Sequence, residues 1–209
     1  MAKIKMSKKA ASIDMTAMCD VAFLLLTFFI LTATAKQPEP LPVETPASTV
    51  KAKLPETGLV TLTVGKSEGK EKVFFGMKDR DVREKTLELM AAKYNVKFTP
   101  EESAQFALIE EFGVPIEALN QVIKMKNADR NKAGVQPGIP MDSLNNQLKD
   151  WIYTARQANI ELGKEKDLDF AIKGDAKQEY PQIKKIMDML QDQKINSFNL
   201  VTGARGSNY

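Results

Sequence analysis

The sequence predicts one N-terminal transmembrane helix followed by an α+β domain, a small sheet with helices packed on a face. Two observations carry that reading. Met15 to Ala35 reads MTAMCDVAFLLLTFFILTATA, and from Val21 to Ala35 it holds no charge. Beyond a proline-rich stretch, the chain orders as strand-strand, helices, strand-helix-strand, which suits one sheet with helices against it.

The first element is a basic tail, residues 1–14. Lys3, Lys5, Lys8 and Lys9 crowd its first twelve residues with no acid among them. A flank of this kind stays on the cytoplasmic side, so the rest of the chain is expected to be translocated. The same lysines suit anionic lipid headgroups. Asp14 falls at the expected interface, where an acid costs little.

The second element is the span, residues 15–35. At ~1.5 Å per residue, Val21 to Ala35 covers only about 22 Å, short of a ~30 Å hydrocarbon core. Adding Met15 to Cys19 brings the helix to about 31 Å, and the span then contains Asp20. An acid at that depth costs roughly 2.5–3.5 kcal/mol on insertion scales, so it normally faces a partner or water and carries a function. At ~100° per residue, Thr16, Asp20, Thr27 and Thr34 fall within about 40° of one another. The opposite side is Ala, Leu, Ile and Phe. A lone helix would leave this polar seam facing lipid, so the seam expects other helices around it.

Three plainer readings of the same stretch stand beside this one. It resembles a cleaved signal peptide, with Ala33-Thr34-Ala35 as the small-residue cleavage site. It also fits an inert anchor with a tolerated Asp near its cytoplasmic end. A buried helix of a soluble protein is opposed by the basic flank and the proline-rich exit.

Composition narrows the chemistry. The net charge of +3 gives no nucleic-acid signature. The chain has no histidine, which removes imidazole metal sites, triads and proton relays. Its one cysteine, Cys19, lies in the span, so the exported part has no disulfides and relies on its core or on partners. Neither a Gly-rich phosphate loop nor a nucleophile elbow occurs. No enzyme class, cofactor or metal is indicated.

Residues 36–57 form a linker. Pro38, Pro40, Pro42, Pro46 and Pro55 sit among Glu, Thr, Ser and Lys, so the segment is expected to be extended and partly polyproline-like. Stretched, it bridges up to about 70 Å. It reads either as a passive spacer or as a tether that docks, with Leu41, Val43 and Leu54 as its apolar anchors.

The domain occupies residues 58–203, with 204–209 as a tail. Leu59 to Val64 alternates like a half-buried strand, Gly65 to Lys72 reads as a charged turn, and Val73-Phe74-Phe75 completes a hairpin over 59–75. Residues 79–140 read as helical. A first helix runs from Asp81 to Tyr94. A second starts at Thr99-Pro100-Glu101-Glu102, with cap, N1 proline and capping-box Glu. It carries Phe106, Ile109 and Glu110 as far as Gly113. A third starts at Pro115 with Leu119, Val122, Ile123 and Lys126, and Asn127 to Pro140 reads as a polar loop. A longer helix from Asp142 to Asn159 bears the stripe Leu144, Leu148, Trp151, Ile152 and Ala155, with Trp151 in the core. Leu168 to Ile172 is a strand. A helix opening at Tyr180-Pro181 buries Ile183, Ile186, Met187 and Leu190, and Ser197 to Val201 is the last strand.

Two stretches resemble a known family. The first is Ile13-Asp14-Met15-Thr16, then Met18, Asp20-Val21 and the Phe/Leu run; Ala17 stands where proline commonly follows the Thr, and Cys19 replaces an aliphatic residue. The second is 168–202, with Lys173-Gly174-Asp175, Tyr180, Met187-Asp188 and Leu200-Val201-Thr202. Both are similar to the ExbD/TolR family, single-span subunits of proton-driven inner-membrane motors. Residues 79–140 lie outside the resemblance and read as a helical insertion into a periplasmic domain.

The resemblance implies a subunit that transduces proton motive force, with Asp20 as proton carrier. It implies two copies of this chain, a self-dimer, inside a ring of five multi-span ExbB/TolQ-like subunits, and a TonB-like periplasmic partner reaching the outer membrane. A TolR-like role in a Tol–Pal envelope system stays open. So does a membrane-anchored periplasmic binding domain with no proton role, and so does a secreted form cut after Ala35. The absence of a dense oxygen cluster around Asp20 favours protons over sodium ions.

Overall fold

The computed structural model describes residues 15–33, 39–48, 53–67, 69–132, 134–142, 145–175 and 180–204. The basic tail, Thr34 and Leu144 lie outside the described residues. The chain divides into two units, Met1–Gln37 and Pro38–Tyr209.

The first unit holds one helix, α1 (Met15–Thr32), which is long and apolar enough to cross a membrane. No residue of it is buried, and Phe23, Leu24, Leu25, Leu26, Phe28 and Phe29 all point outward. Helical bonding runs one residue further, because Ala33 N–H donates to Phe29 O at 2.9 Å.

The second unit is built on a five-stranded mixed sheet in the order β4-β3-β2-β5-β6. Strands β2 (Leu59–Ser67) and β3 (Lys70–Met77) form the antiparallel hairpin. Parallel to β2 runs β5 (Asp169–Gly174), and parallel to β5 runs β6 (Phe198–Val201). Helix α7 (Tyr180–Asp192) joins that parallel pair, as a crossover must. The hairpin is longer than its pattern predicts. Gly65 to Lys72 reads as a turn, yet the ladder continues to Ser67↔Lys70, and the reversal falls at Gly69, whose φ of +73° suits glycine.

Residues 79–140 share the domain's core. Helix α2 (Arg80–Tyr94) buries Val82, Leu87 and Met90. Helix α3 (Pro100–Phe106) has the predicted capping box: Glu102 N–H donates to Thr99 Oγ1 at 3.2 Å, and Thr99 N–H to Glu102 Oε2 at 2.8 Å. It stops at Phe106, not at Gly113. Glu111–Phe112 instead forms β4, antiparallel to β3. Phe106, Ile109 and Phe112 keep a helix-like spacing, but a turn after α3 followed by a short strand also brings all three inward. Helix α4 (Ile116–Lys124) follows Pro115, and a single turn, α5 (Asn127–Arg130), lies in the predicted loop.

Helix α6 (Gln147–Glu161) starts five residues later than the pattern predicts, because Asn146 caps it by accepting from Lys149 N–H at 3.0 Å. Its Gln147 is fully buried and ties two helix starts together: Oε1 accepts from Ile116 N–H at 2.9 Å, and Nε2 donates to Glu117 at 3.0 Å. Gln136 does the same for the loop, accepting from Gly113 N–H at 2.7 Å and donating to Arg130 O at 3.1 Å.

Trp151 sits at the centre of the core. Its ring lies 4.9 Å from Phe112, 6.1 Å from Phe75 and 6.2 Å from Phe106. Hairpin, helical segment and α6 therefore meet at one aromatic cluster. Phe112→Ala is expected to cost about 3–5 kcal/mol, whereas Leu108→Ala, at an exposed position of the same segment, should stay within about 0.5 kcal/mol. Urea unfolding of the two variants followed by circular dichroism measures the contrast.

Candidate functional site

Two places hold residues that the sequence singles out. The first is the seam of α1. Asp20 is exposed there and is the one charged residue of the helix. Thr16 precedes it by one turn, and Thr27 follows on the same side. The Thr27 hydroxyl donates to Leu24 O at 2.9 Å, which satisfies its proton within the helix and leaves its oxygen free to accept. Thr32 does likewise with Phe28 O at 2.7 Å. Thr34, the fourth residue of the seam, lies outside the described residues.

The second is the face of the sheet turned away from the helices. Val60, Leu62 and Val64 of β2 enter the main core. Thr63 and Gly65 point the other way, beside Phe74 of β3 and Ala171 of β5. Thr63, Phe74 and Ala171 are nonetheless buried, as is Lys72. The linker provides cover. Leu41 is 3% exposed. A Cβ added at Gly65 would lie 2.8 Å from Val43 Cγ1 and 3.1 Å from Leu41 Cδ2, so the strap rests where the strand carries no side chain. Glu39 forms an ion pair with Lys173 on β5 at 2.5 Å. Further along, β1 (Ala47–Ser48) pairs in parallel with β7 (Gly203–Ala204). Leu41 and Val43 are thus brought to one seat. Leu54 is 37% exposed and is not part of it.

The same sheet face holds a residue that sequence reasoning missed. Glu111 of β4 lies opposite Gly76 of β3, and a Cβ at Gly76 would sit 3.5 Å from the Glu111 Cβ and Cγ. The glycine leaves room for the acid's stem to cross the strand. Glu111 Oε1 is shut off from solvent without a hydrogen-bond partner, and so is Thr63 Oγ1. Burial pushes the Glu111 carboxyl above the ordinary range. The Thr63 hydroxyl, though short of hydrogen-bond geometry, and the Lys173 ammonium oppose that rise; Glu39 and Glu110 add to it. The helix-like spacing around Glu111 concealed it, because an acid on a helix reads as solvent-facing.

No group of three or more Cys, Asp or Glu side chains able to hold a metal occurs among the described residues. A shallow cleft lined by Arg156, Asn159, Asp167 and Asp169 is internally engaged: Arg156 donates to Gln193 O at 2.9 Å, Asn159 to Lys166 O at 2.9 Å, and Asp169 pairs with Lys166 at 2.6 Å.

Comparison with known proteins gives one finding. The family model described as biopolymer transport protein ExbD/TolR matches residues 6–205. No curated protein and no solved structure matches significantly.

The seat makes a testable contrast. Leu41→Ala should release the strap and raise the rate of protease cleavage within residues 39–48 by about tenfold, since burying a leucine contributes roughly 1.5–3 kcal/mol. Leu54→Ala should leave the cleavage rate unchanged.

Proposed function

The chain belongs to the ExbD/TolR family of biopolymer transport proteins, and on that premise we propose that it transduces proton motive force for an ExbB–ExbD-type motor. Family members are non-enzymatic transport subunits that work with ExbB/TolQ-type partners. Membership and the single apolar helix among the described residues fit an inner-membrane, single-pass protein. In the proposed arrangement the basic tail holds the N-terminus in the cytoplasm, and the domain lies in the periplasm. Two copies of α1 stand inside a ring of five multi-span subunits and energise a TonB-like partner that serves outer-membrane transport.

The observation that carries the proposal is Asp20, one carboxyl on a hydroxyl-lined stripe of an otherwise apolar helix. A low dielectric disfavours the charged form of a carboxyl, and a hydrated path favours it. Alternation between the two couples proton entry and exit to helix rotation. Each charge crossing supplies about 2.3 kcal/mol per 100 mV. With its proton committed to Leu24 O, Thr27 offers an acceptor to water or to a ring hydroxyl. Leu41 and Val43 give the linker a docking role within the same assembly. A TolR-like subunit serving a Tol–Pal system shares every residue of this argument and differs in its client.

Asp20→Asn should keep co-purification with the multi-span partner and abolish energy-dependent uptake, to the level of cells lacking the chain. Normal uptake in that variant overturns the proton role and leaves a membrane-anchored binding domain. A TonB-like or a Tol-like companion in the purified complex identifies the client.

A further inference from the structure

We infer that Glu111 is a pH-dependent latch for the linker strap, with the strap seated when this carboxyl is protonated and released when it ionises. The inference rests on the seat alone and not on the role of Asp20.

The geometry sets up a competition for one cation. Lys173 on β5 is held by Glu39 of the strap at 2.5 Å. Glu111 enters the same sheet face from β4, where Lys173 and Glu39 act on it, and its Oε1 has neither solvent nor a hydrogen-bond partner. A carboxylate left in that state is costly, and a carboxylic acid far less so. The charged and titratable groups acting on Glu111 are Lys173 from β5, Glu39 from the strap and Glu110 from its own strand approach. Neutral Glu111 leaves Lys173 to Glu39. Ionised Glu111 draws on Lys173 and repels Glu39, so both effects lift the strap. Thr63 adds no charge. It is fully buried, and its hydroxyl favours the ionised acid.

The sign follows from the direction of the shift. Burial holds the Glu111 carboxyl above the ordinary value of 4.5, and Glu39 of the seated strap raises it further. Seating is therefore fully favourable below that ordinary value. It weakens as pH climbs from there through the raised value, and the loss is complete above it. Release returns residues 39–48 to the tether and lengthens its maximal reach by up to about 30 Å. The acid comes from the segment 79–140, so this segment gives the strap its sensitivity to acidity.

Hydrogen exchange on the full chain in lipid nanodiscs tests the latch. Exchange times are scaled so that unprotected amides exchange equally at about pH 5 and about pH 8. In the unaltered chain, protection of residues 39–48 should fall by about tenfold at the higher pH, while β2 stays protected. Glu111→Gln should hold the strap protected at both. Glu39→Gln, which removes the repelled partner, should give a weakly seated strap with no dependence on pH. Trp151 fluorescence and β2 protection report whether each variant is folded. If Glu111→Gln fails to fold, Glu39→Gln decides. Equal strap protection at both pH values in the unaltered chain overturns the latch. So does an unchanged pH course in any folded variant.

Discussion

The domain depends on covering β2 from both sides. Val60, Leu62 and Val64 project into the core shared with the helices, and Thr63 and Gly65 project away from it. A sheet with helices on one face has a second face to hide from water or to expose. Here that face is built of small and slender residues, Thr63, Gly65, Gly76 and Ala171, beside Phe74. A thin extended segment is enough to bury it, because Leu41 and Val43 fill the groove that Gly65 leaves open. Proline fixes the strap's backbone, which lowers the entropy lost when it seats. The same residues that make the linker unable to fold alone make it a suitable cover for a preformed face.

Residues 79–140 are joined to that sheet by more than apolar contact. Phe106 and Phe112 complete the ring cluster around Trp151, β4 extends the sheet past β3, and two buried glutamines hold the backbone ends. Gln147 ties the start of α4 to the start of α6, and Gln136 ties Gly113 to the α5 turn. Each glutamine donates and accepts, so both ends of its buried amide are satisfied. That is the condition for a polar side chain to be buried without penalty. Arg83 and Arg130 are the costlier cases. Both guanidiniums are buried, and burial lowers their basicity. Arg83 donates to Lys78 O at 3.4 Å, and Arg130 to Asn127 Oδ1.

The two units place an acid in different settings. In α1 a single carboxyl occupies a helix whose every other side chain is uncharged, with hydroxyls along its stripe. In the domain a carboxyl occupies a covered sheet face with one lysine and two acids acting on it. A carboxyl prefers its neutral form in an apolar setting, and burial raises that of Glu111 accordingly. The family match spans both units.

The helix of the first unit, the hairpin, the strands β5 and β6 and the capping box at Thr99 were all legible in the sequence. Each rests on local periodicity or on capping chemistry within a few residues. Asp20 was legible for the same reason, since an acid in an apolar run needs no partner to stand out. Leu41 and Val43 stood out as the apolar points of a polar linker, although nothing local told their fate apart from that of Leu54. Three things were settled only by distant contacts. Gly65 belongs to a strand because Lys72 pairs with it and the strap needs its open side. Glu111–Phe112 is a strand because β3 offers a free edge, which outweighs a helix-like spacing. The Glu111 carboxyl oxygen loses its water through contacts distant in sequence, with Gly76 leaving room for its stem. Sequence therefore set which segments are apolar and where helices begin. Tertiary structure decided which polar groups lost their water, because that depends on what lies on the other side of them.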